Sequence, residues 1–207
     1  MSYLELDRIR ATPLVTEPFA YMVVQNVLSP AALAAVRADF PAIADPGLFP
    51  LSEAPGGPAF GALMEELAGE GFESALEEKF RIDLGKRPRM ITVRGRCRAR
   101  DGKIHTDTFE KILTILLYLN GPWTEEGGAL RLLRRGDDIE DKIVEVPPVG
   151  GTLIAFKPSP RSWHGHKPFE GERRCVMVNW MENAEIAARE VGRHRRSAAV
   201  KRFLGHG

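Results

Sequence analysis

Between Arg87 and Met181 the sequence falls into short strand-like runs, RMITVRG, KILTILLYLN, ALRLL, KIVEV, TLIAF and RRCVMVNWM, broken by Gly, Pro and Asp clusters. This punctuation constrains the fold more than any other feature. Several short strands separated by such turn signals predict an antiparallel sandwich or barrel. Ahead of it the texture is helical. FAYMVVQNVLS (19–29) reads as a strand running into a helix start, with Ser29 as N-cap, Pro30 in the first turn and AALAAVRADF as the body up to Pro41. Residues 41–58 are rich in Pro and Gly and predict a long loop. Helices follow at about 59–69 and 72–81, on Leu63, Leu67, Phe72, Leu76 and Phe80. The closing stretch, MENAEIAAREVGRHRRSAAVKRFL, predicts a helix with a thin apolar face. The expected organisation is one domain over 1–207, mainly β with flanking α-helices: a helical layer to about 86, a β core over about 87–181, and a C-terminal helix over about 182–204.

The chain of 207 residues can bury one good core and is marginal for two domains. With 43% hydrophobic and 28% charged residues it reads as an ordinary soluble protein, and a net charge of +1 advertises neither nucleic acid nor an acidic membrane. Cys97 and Cys175 fit no metal or disulfide spacing, so a reducing compartment is the simplest reading. No run approaches a membrane span and the N-terminus has no apolar leader core, which predicts a cytoplasmic protein.

The candidate chemistry starts at His105-Thr106-Asp107, just before the strand from Lys111. In an extended segment residues two apart point the same way, so this imidazole and carboxylate can face one cation. A second imidazole, from His164 or His166, comes between two later strands. Two imidazoles and one carboxylate leave three open positions, which suits the facial triad of non-haem Fe(II) oxygenases. Zinc also accepts this set.

The ordered elements HTD, ILLYLNGPW, EGGALRLL, PPVGGTLIAF and SWHGHKPFEGER resemble the Fe(II)/2-oxoglutarate dioxygenase superfamily, nearest its prolyl-hydroxylase-like branch, over about residues 88–181. The resemblance implies a double-stranded β-helix, the cupin-like jelly roll. It also implies Fe(II), 2-oxoglutarate and O2, with ascorbate as an accessory. The implied reaction hydroxylates an unactivated C–H bond and releases succinate and CO2. His105, Asp107 and His164 then hold the metal. His164 is preferred to His166 because Pro168 lies four residues after it, the family's spacing, and because Trp163 beside it can shield the metal. His166 is left as a polar turn residue or a substrate contact.

The same resemblance calls for an arginine to bind the distal carboxylate of 2-oxoglutarate, a task suited to a planar guanidinium fork. Arg173 lies nine residues after His164, a spacing the family uses. Strand parity sets Arg173, Cys175, Met177 and Asn179 on a mixed face and Arg174, Val176, Val178 and Trp180 on a packing face. Arg174, at a spacing of ten, stays as the alternative. Tyr118 matches the tyrosine that joins this contact, or is a core residue. Asn179 is a further candidate for supporting the metal ligands.

Arg94, Arg96, Arg98 and Arg100 alternate with small residues and predict one cationic row leading to the HxD. The row is either a mouth for an anionic substrate or a solvated edge strand. The Pro/Gly stretch 53–61 is a lid or an idle connection. The basic residues from Arg189 to Arg202 read as a solvated helix face. Expected partners are a small-molecule or protein substrate, with no membrane and no nucleic acid. Two rival functions stand beside the oxygenase: a metal-dependent cupin-type hydrolase or isomerase, and a non-catalytic jelly-roll binding module.

Overall fold

The computed structural model describes residues 2–204, with side chains as far as Arg195 in the last helix. Its elements run α1 (Leu6–Ala11), β1 (Tyr21–Val24), α2 (Pro30–Ala38), β2 (Phe49–Pro50), α3 (Pro58–Ala68), α4 (Glu70–Phe80), β3 (Arg89–Cys97), β4 (Lys111–Tyr118), β5 (Leu130–Leu133), β6 (Lys142–Val146), β7 (Leu153–Phe156), β8 (His164–Gly165), β9 (Gly171–Met181) and α5 (Ala184–Leu204). A major sheet in the order β1-β7-β4-β9-β3-β2 faces a minor sheet in the order β6-β5-β8. The named strand pairs are antiparallel, and the two sheets form a jelly roll.

Period-two alternation gives the major sheet two unlike faces. Leu113, Ile115 and Leu117 of β4, Leu153 and Ala155 of β7, and Val176, Val178 and Trp180 of β9 turn outward and join the core under the helices. Val36, Leu63, Leu67, Phe72 and Leu76 cover them. The opposite face sends Leu116, Tyr118, Ile154, Phe156 and Cys175 toward Leu130, Leu132 and Val146 of the minor sheet.

The helices begin where the local chemistry asks for it. Ser29 accepts a bond from Ala32 N at 3.2 Å to cap α2. Helix α4 begins at Glu70, after Gly69 as N-cap and two residues before the apolar pattern starts, and Glu70 and Glu73 in its first turn favour the positive helix end. The helix α1, six residues long, was not expected, because a single turn and a half carries too little periodicity to read. Residues 41–58 are less loop-like than their composition suggests: they hold β2 and a 3-10 turn, Leu51–Glu53. Gly57 N donates to Asp39 O at 2.8 Å, Ala59 N to Asp39 Oδ2 at 2.6 Å, and Ala54 is buried. The stretch 53–61 is thus a pinned connection, and the lid reading finds no support. Helix α5 packs Ala187 against Met90 and Met181 at one end of the major sheet. The side chains from Arg196 to Arg202, part of the expected basic face, lie outside the described residues. No helix among those described is long and apolar enough to cross a membrane.

Candidate metal centre and cosubstrate pocket

The HxD segment lies against β8, a two-residue strand that composition alone did not reveal. His105 N donates to His164 O at 3.0 Å and His164 N to His105 O at 2.9 Å, so the backbones of the two histidines hold each other in register. The ring centroids are 4.3 Å apart, and one ligand atom from each of His105, Asp107 and His164 lies within 4.8 Å of the other two. His166, two residues on, is not part of this cluster.

The donor set suits a cation. His105 Nδ1 is 2.8 Å from Lys103 O, and His164 Nδ1 is 2.9 Å from Ser162 O. A carbonyl only accepts, so both rings must carry their hydrogen on Nδ1, and both Nε2 lone pairs are left for a metal. Burial pushes His164 down to about 4, against the pull of Asp107 and helped by His105, so it is neutral at physiological pH. Burial alone would raise the Asp107 carboxyl. Lys111 and His164 outweigh it, with hydrogen bonds from Lys111 and Thr114, and hold the group below its ordinary value. Lys111 Nζ reaches Asp107 Oδ1 at 2.8 Å, and Thr114 Oγ1 donates to Oδ2 at 2.6 Å. Asn179 lies 3.1 Å behind Thr114 and supports that hydroxyl rather than the carboxylate itself.

Trp163, expected beside the metal, faces the other way and packs over Gly136. Parity decides this: if His164 turns inward, its neighbour turns outward. Phe156 takes the shielding position, with its ring centroid 4.8 Å from that of His164.

The cavity beside the triad measures about 140 Å³ and also carries Arg173, Arg94 and His166 on its wall. Arg173 projects inward from β9 and is only 4% exposed. Its Nε donates to Gly128 O at 2.8 Å and one terminal nitrogen to the Tyr118 hydroxyl at 3.1 Å. No carboxylate among the described residues pairs with it. A buried guanidinium without a counter-ion costs several kcal/mol, so this end of the pocket is made for an anion. Burial pushes the Tyr118 phenol up, against the pull of Arg173, so it keeps its proton. With the oxygen accepting from Arg173, that proton is free to be donated to the same anion.

Arg174 has the opposite surroundings. It lies over the Phe40 ring at 5.1 Å and bonds Glu172 at 3.1 Å and Arg37 O at 3.2 Å, away from the cavity. His166 is buried in the wall, with Nδ1 2.8 Å from Lys167 O, and burial followed by the nearby Arg173 charge pushes it down to about 4. Gly102, at φ +78°, closes over this ring, where a Cβ would come within 2.2 Å of Nε2. His166 is therefore a pocket-wall residue and not a surface turn.

The cationic row needs correction. A β-bulge between Arg94 and Arg96 shifts the pairing of β3 with β9, so the parity of the strand changes there. Arg94 turns into the cavity and pairs with Asp101 at 2.8 Å, while Arg96 is exposed. Thr114 and Lys111 were not singled out from sequence. Thr114 was within reach, since it shares the parity of Tyr118 on β4.

Residues 96–182 match the family model described as the 2OG-Fe(II) oxygenase superfamily, a span that contains His105, Asp107, Tyr118, His164 and Arg173. No curated protein matches the chain. Among solved structures, a prolyl-4-hydroxylase of Pseudomonas putida is similar at TM-score 0.53 and 19% identity, over 85% of this chain and 88% of that one. Prolyl 4-hydroxylases from Phytophthora capsici give 0.55 and 20%, over 81% of this chain and 60% of theirs. A prolyl hydroxylase from Trichoplax adhaerens, in complex with a hypoxia inducible factor oxygen degradation domain peptide fragment, gives 0.50 and 16%, over 86% and 88%. At these identities the likeness speaks for the fold.

Proposed function

We infer that this chain, a 2OG-Fe(II) oxygenase by its residues 96–182, hydroxylates an unactivated C–H bond in a peptidyl or small-molecule substrate, with release of succinate and CO2. The observation that carries the reading is the pairing of two sites in one small cavity. A His-Asp-His cluster stands near a buried arginine that has no carboxylate partner among the described residues.

His105, Asp107 and His164 would hold the metal through two Nε2 atoms and one carboxylate oxygen. Bound there, Fe(II) supplies activation of O2, coupled to oxidative decarboxylation of 2-oxoglutarate. The chain's own residues do the rest. Lys103 O and Ser162 O fix the imidazole tautomers, and Lys111 and Thr114 fix the carboxylate. Arg173 and Tyr118 receive the distal carboxylate of 2-oxoglutarate, the guanidinium by charge and the phenol by its remaining hydrogen. Leu116, Leu130 and Met177 line the cavity with apolar surface and exclude water from the reacting groups. The presence of Asp107 favours hydroxylation over halogenation, which resembling enzymes perform without this carboxylate. The prolyl-hydroxylase likeness of the fold supports a peptidyl prolyl substrate as the first to try.

The test is an anaerobic titration of metal-free protein with Fe(II) and 2-oxoglutarate, following the visible metal-to-ligand charge-transfer band. The band is expected in the wild type and in His166→Ala, and lost in His164→Ala. Arg173→Ala should need far more 2-oxoglutarate than Arg174→Ala. Metal binding without a band in the wild type would remove the cosubstrate assignment and leave the cupin-type hydrolase or isomerase in its place.

A further inference from the structure

We propose that the substrate is an acidic peptide segment, bound in the groove of Arg96, Arg98 and Arg100 that adjoins the metal pocket. This rests on the oxygenase reading above.

The size of the inner cavity comes first. At about 140 Å³ it lies below the ~300–1,000 Å³ of most ligand pockets. Once a five-carbon dicarboxylate lies between Arg173 and the triad, only a small group of the substrate can enter. Recognition of the remainder must happen outside.

A groove of about 400 Å³ lies next to it, with Arg96, Arg98 and Arg100 on one side and Pro46 and Glu170 also on its walls. A single turn separates groove from cavity. Asp101 Oδ2 accepts from Arg98 N at 3.0 Å and from Arg94 at 2.8 Å, and Arg94 and Gly102 line the cavity. The bulge makes the arrangement possible. Gly95 sits against Ile43, where a Cβ would come within 2.8 Å, and beyond it the chain presents Arg96 to the groove instead of the cavity.

These arginines are unlike most others in the molecule. Arg131 pairs with Glu140 and Glu145, Arg134 with Asp141 and Arg89 with Glu73. The guanidinium groups of Arg96, Arg98 and Arg100 make no ion pair among the described residues. Three arginines against one carboxylate, Glu170, leave this concave surface with an excess of positive charge that raises the local potential and draws in anions.

The walls decide which anion. Single-stranded nucleic acid is held by aromatic platforms as well as by charge, and this groove has none. Glu170 stands in the same groove, so a uniformly charged phosphate chain would set a phosphate against a carboxylate. A peptide can place its acids on the arginines and a backbone N–H or neutral residue at Glu170.

The experiment measures binding by fluorescence anisotropy to the full chain. The probes are a labelled peptide of alternating Glu and Ala around a central Pro, its Lys-for-Glu counterpart, and an oligothymidylate of equal length. The acidic peptide is expected to bind at least about tenfold more tightly than either, to weaken as salt rises, and to lose about tenfold in the double variant Arg96→Glu/Arg100→Glu. The charge-transfer band formed with Fe(II) and 2-oxoglutarate should still appear in that variant, which shows that it is folded. Equal binding of the acidic and basic peptides, tighter binding of the oligonucleotide, or indifference to the double reversal would overturn the proposal. So would displacement of the peptide by an equimolar amount of inorganic tripolyphosphate, which would mark a general small-anion site. Peptide binding needs no iron. Absence of the charge-transfer band from the wild type, with metal bound, would therefore sink the oxygenase reading separately.

Discussion

The two faces of the major sheet are made from the same strands and have almost nothing else in common. Outward, β4, β7 and β9 present Leu113, Ile115, Leu117, Leu153, Ala155, Val176, Val178 and Trp180 to the helices, a continuous apolar contact. Inward, β4 and β9 present Thr114, Tyr118, Arg173 and Asn179 close to the HxD segment, with a buried charge that lacks a carboxylate partner among the described residues. The outer face is apolar throughout, whereas the inner face joins a second apolar cluster to the chemistry, and a one-residue register slip in any of these strands would exchange them.

That division can be broken experimentally. The largest effect is expected from Asp107→Asn, which should weaken Fe(II) binding by more than about a hundredfold, beyond the loss of an outer partner. Without metal it should melt lower than wild type, since Lys111 loses its buried counter-ion, but should stay folded because an amide can still bond Thr114. Calorimetry and metal titration on one preparation would decide, and a collapse of both would mean that the triad also holds the fold.

Trp180→Ala attacks the other face. It removes a fully buried side chain that packs on Phe72 and bonds Glu73, and should cost about 3–5 kcal/mol. In a chain of this size that lowers the melting temperature by ~6–20 °C. Protein that remains folded should bind Fe(II) as before.

Arg173→Met sharpens the contrast. It should weaken 2-oxoglutarate binding by ~10–150-fold, the worth of charge-assisted bonds of about 1.5–3 kcal/mol. Because it replaces an uncompensated buried charge by an apolar chain, the ligand-free protein should melt no lower than wild type. Arg174→Met should change neither quantity much. A fall in melting temperature like that of Trp180→Ala would show that the inner face is structural too.

The smallest effect is a pH dependence. His164 and His166 are pushed down to about 4, whereas an unfolded histidine titrates near ~6.5. Between these values the unfolded chain binds more protons than the folded one, so stability present above ~6.5 is lost as pH falls toward 4. Metal-free His166→Gln should lose melting temperature less steeply than wild type over that window. Identical slopes would remove His166 from the account.

Strand parity was legible in the sequence because period-two patterning is strong when one face meets a core. It is why Arg173 could be placed on the mixed face of its strand, whereas Tyr118 came from the family resemblance. The triad spacing was legible through HxD and the later histidines. What was not legible depends on tertiary contacts. The strand β8 is two residues long and exists because β5 pairs with it. The bulge in β3 inverts the expected cationic row, although an isolated glycine within a strand, Gly95, was a signal for it. Trp163 was misplaced for want of the same parity argument applied one residue before His164.

The histidine tautomers are set by the carbonyls of Lys103 and Ser162, and every amino acid has a carbonyl. Evolution can therefore exchange the side chain at 103 at little risk to the iron site, so long as the peptide plane keeps its direction. A family built this way can vary the residue beside its metal and alter what approaches the opening, while the imidazoles keep the same hydrogen. Sequence comparison would show such a position as variable, and its contribution would be visible only in the backbone.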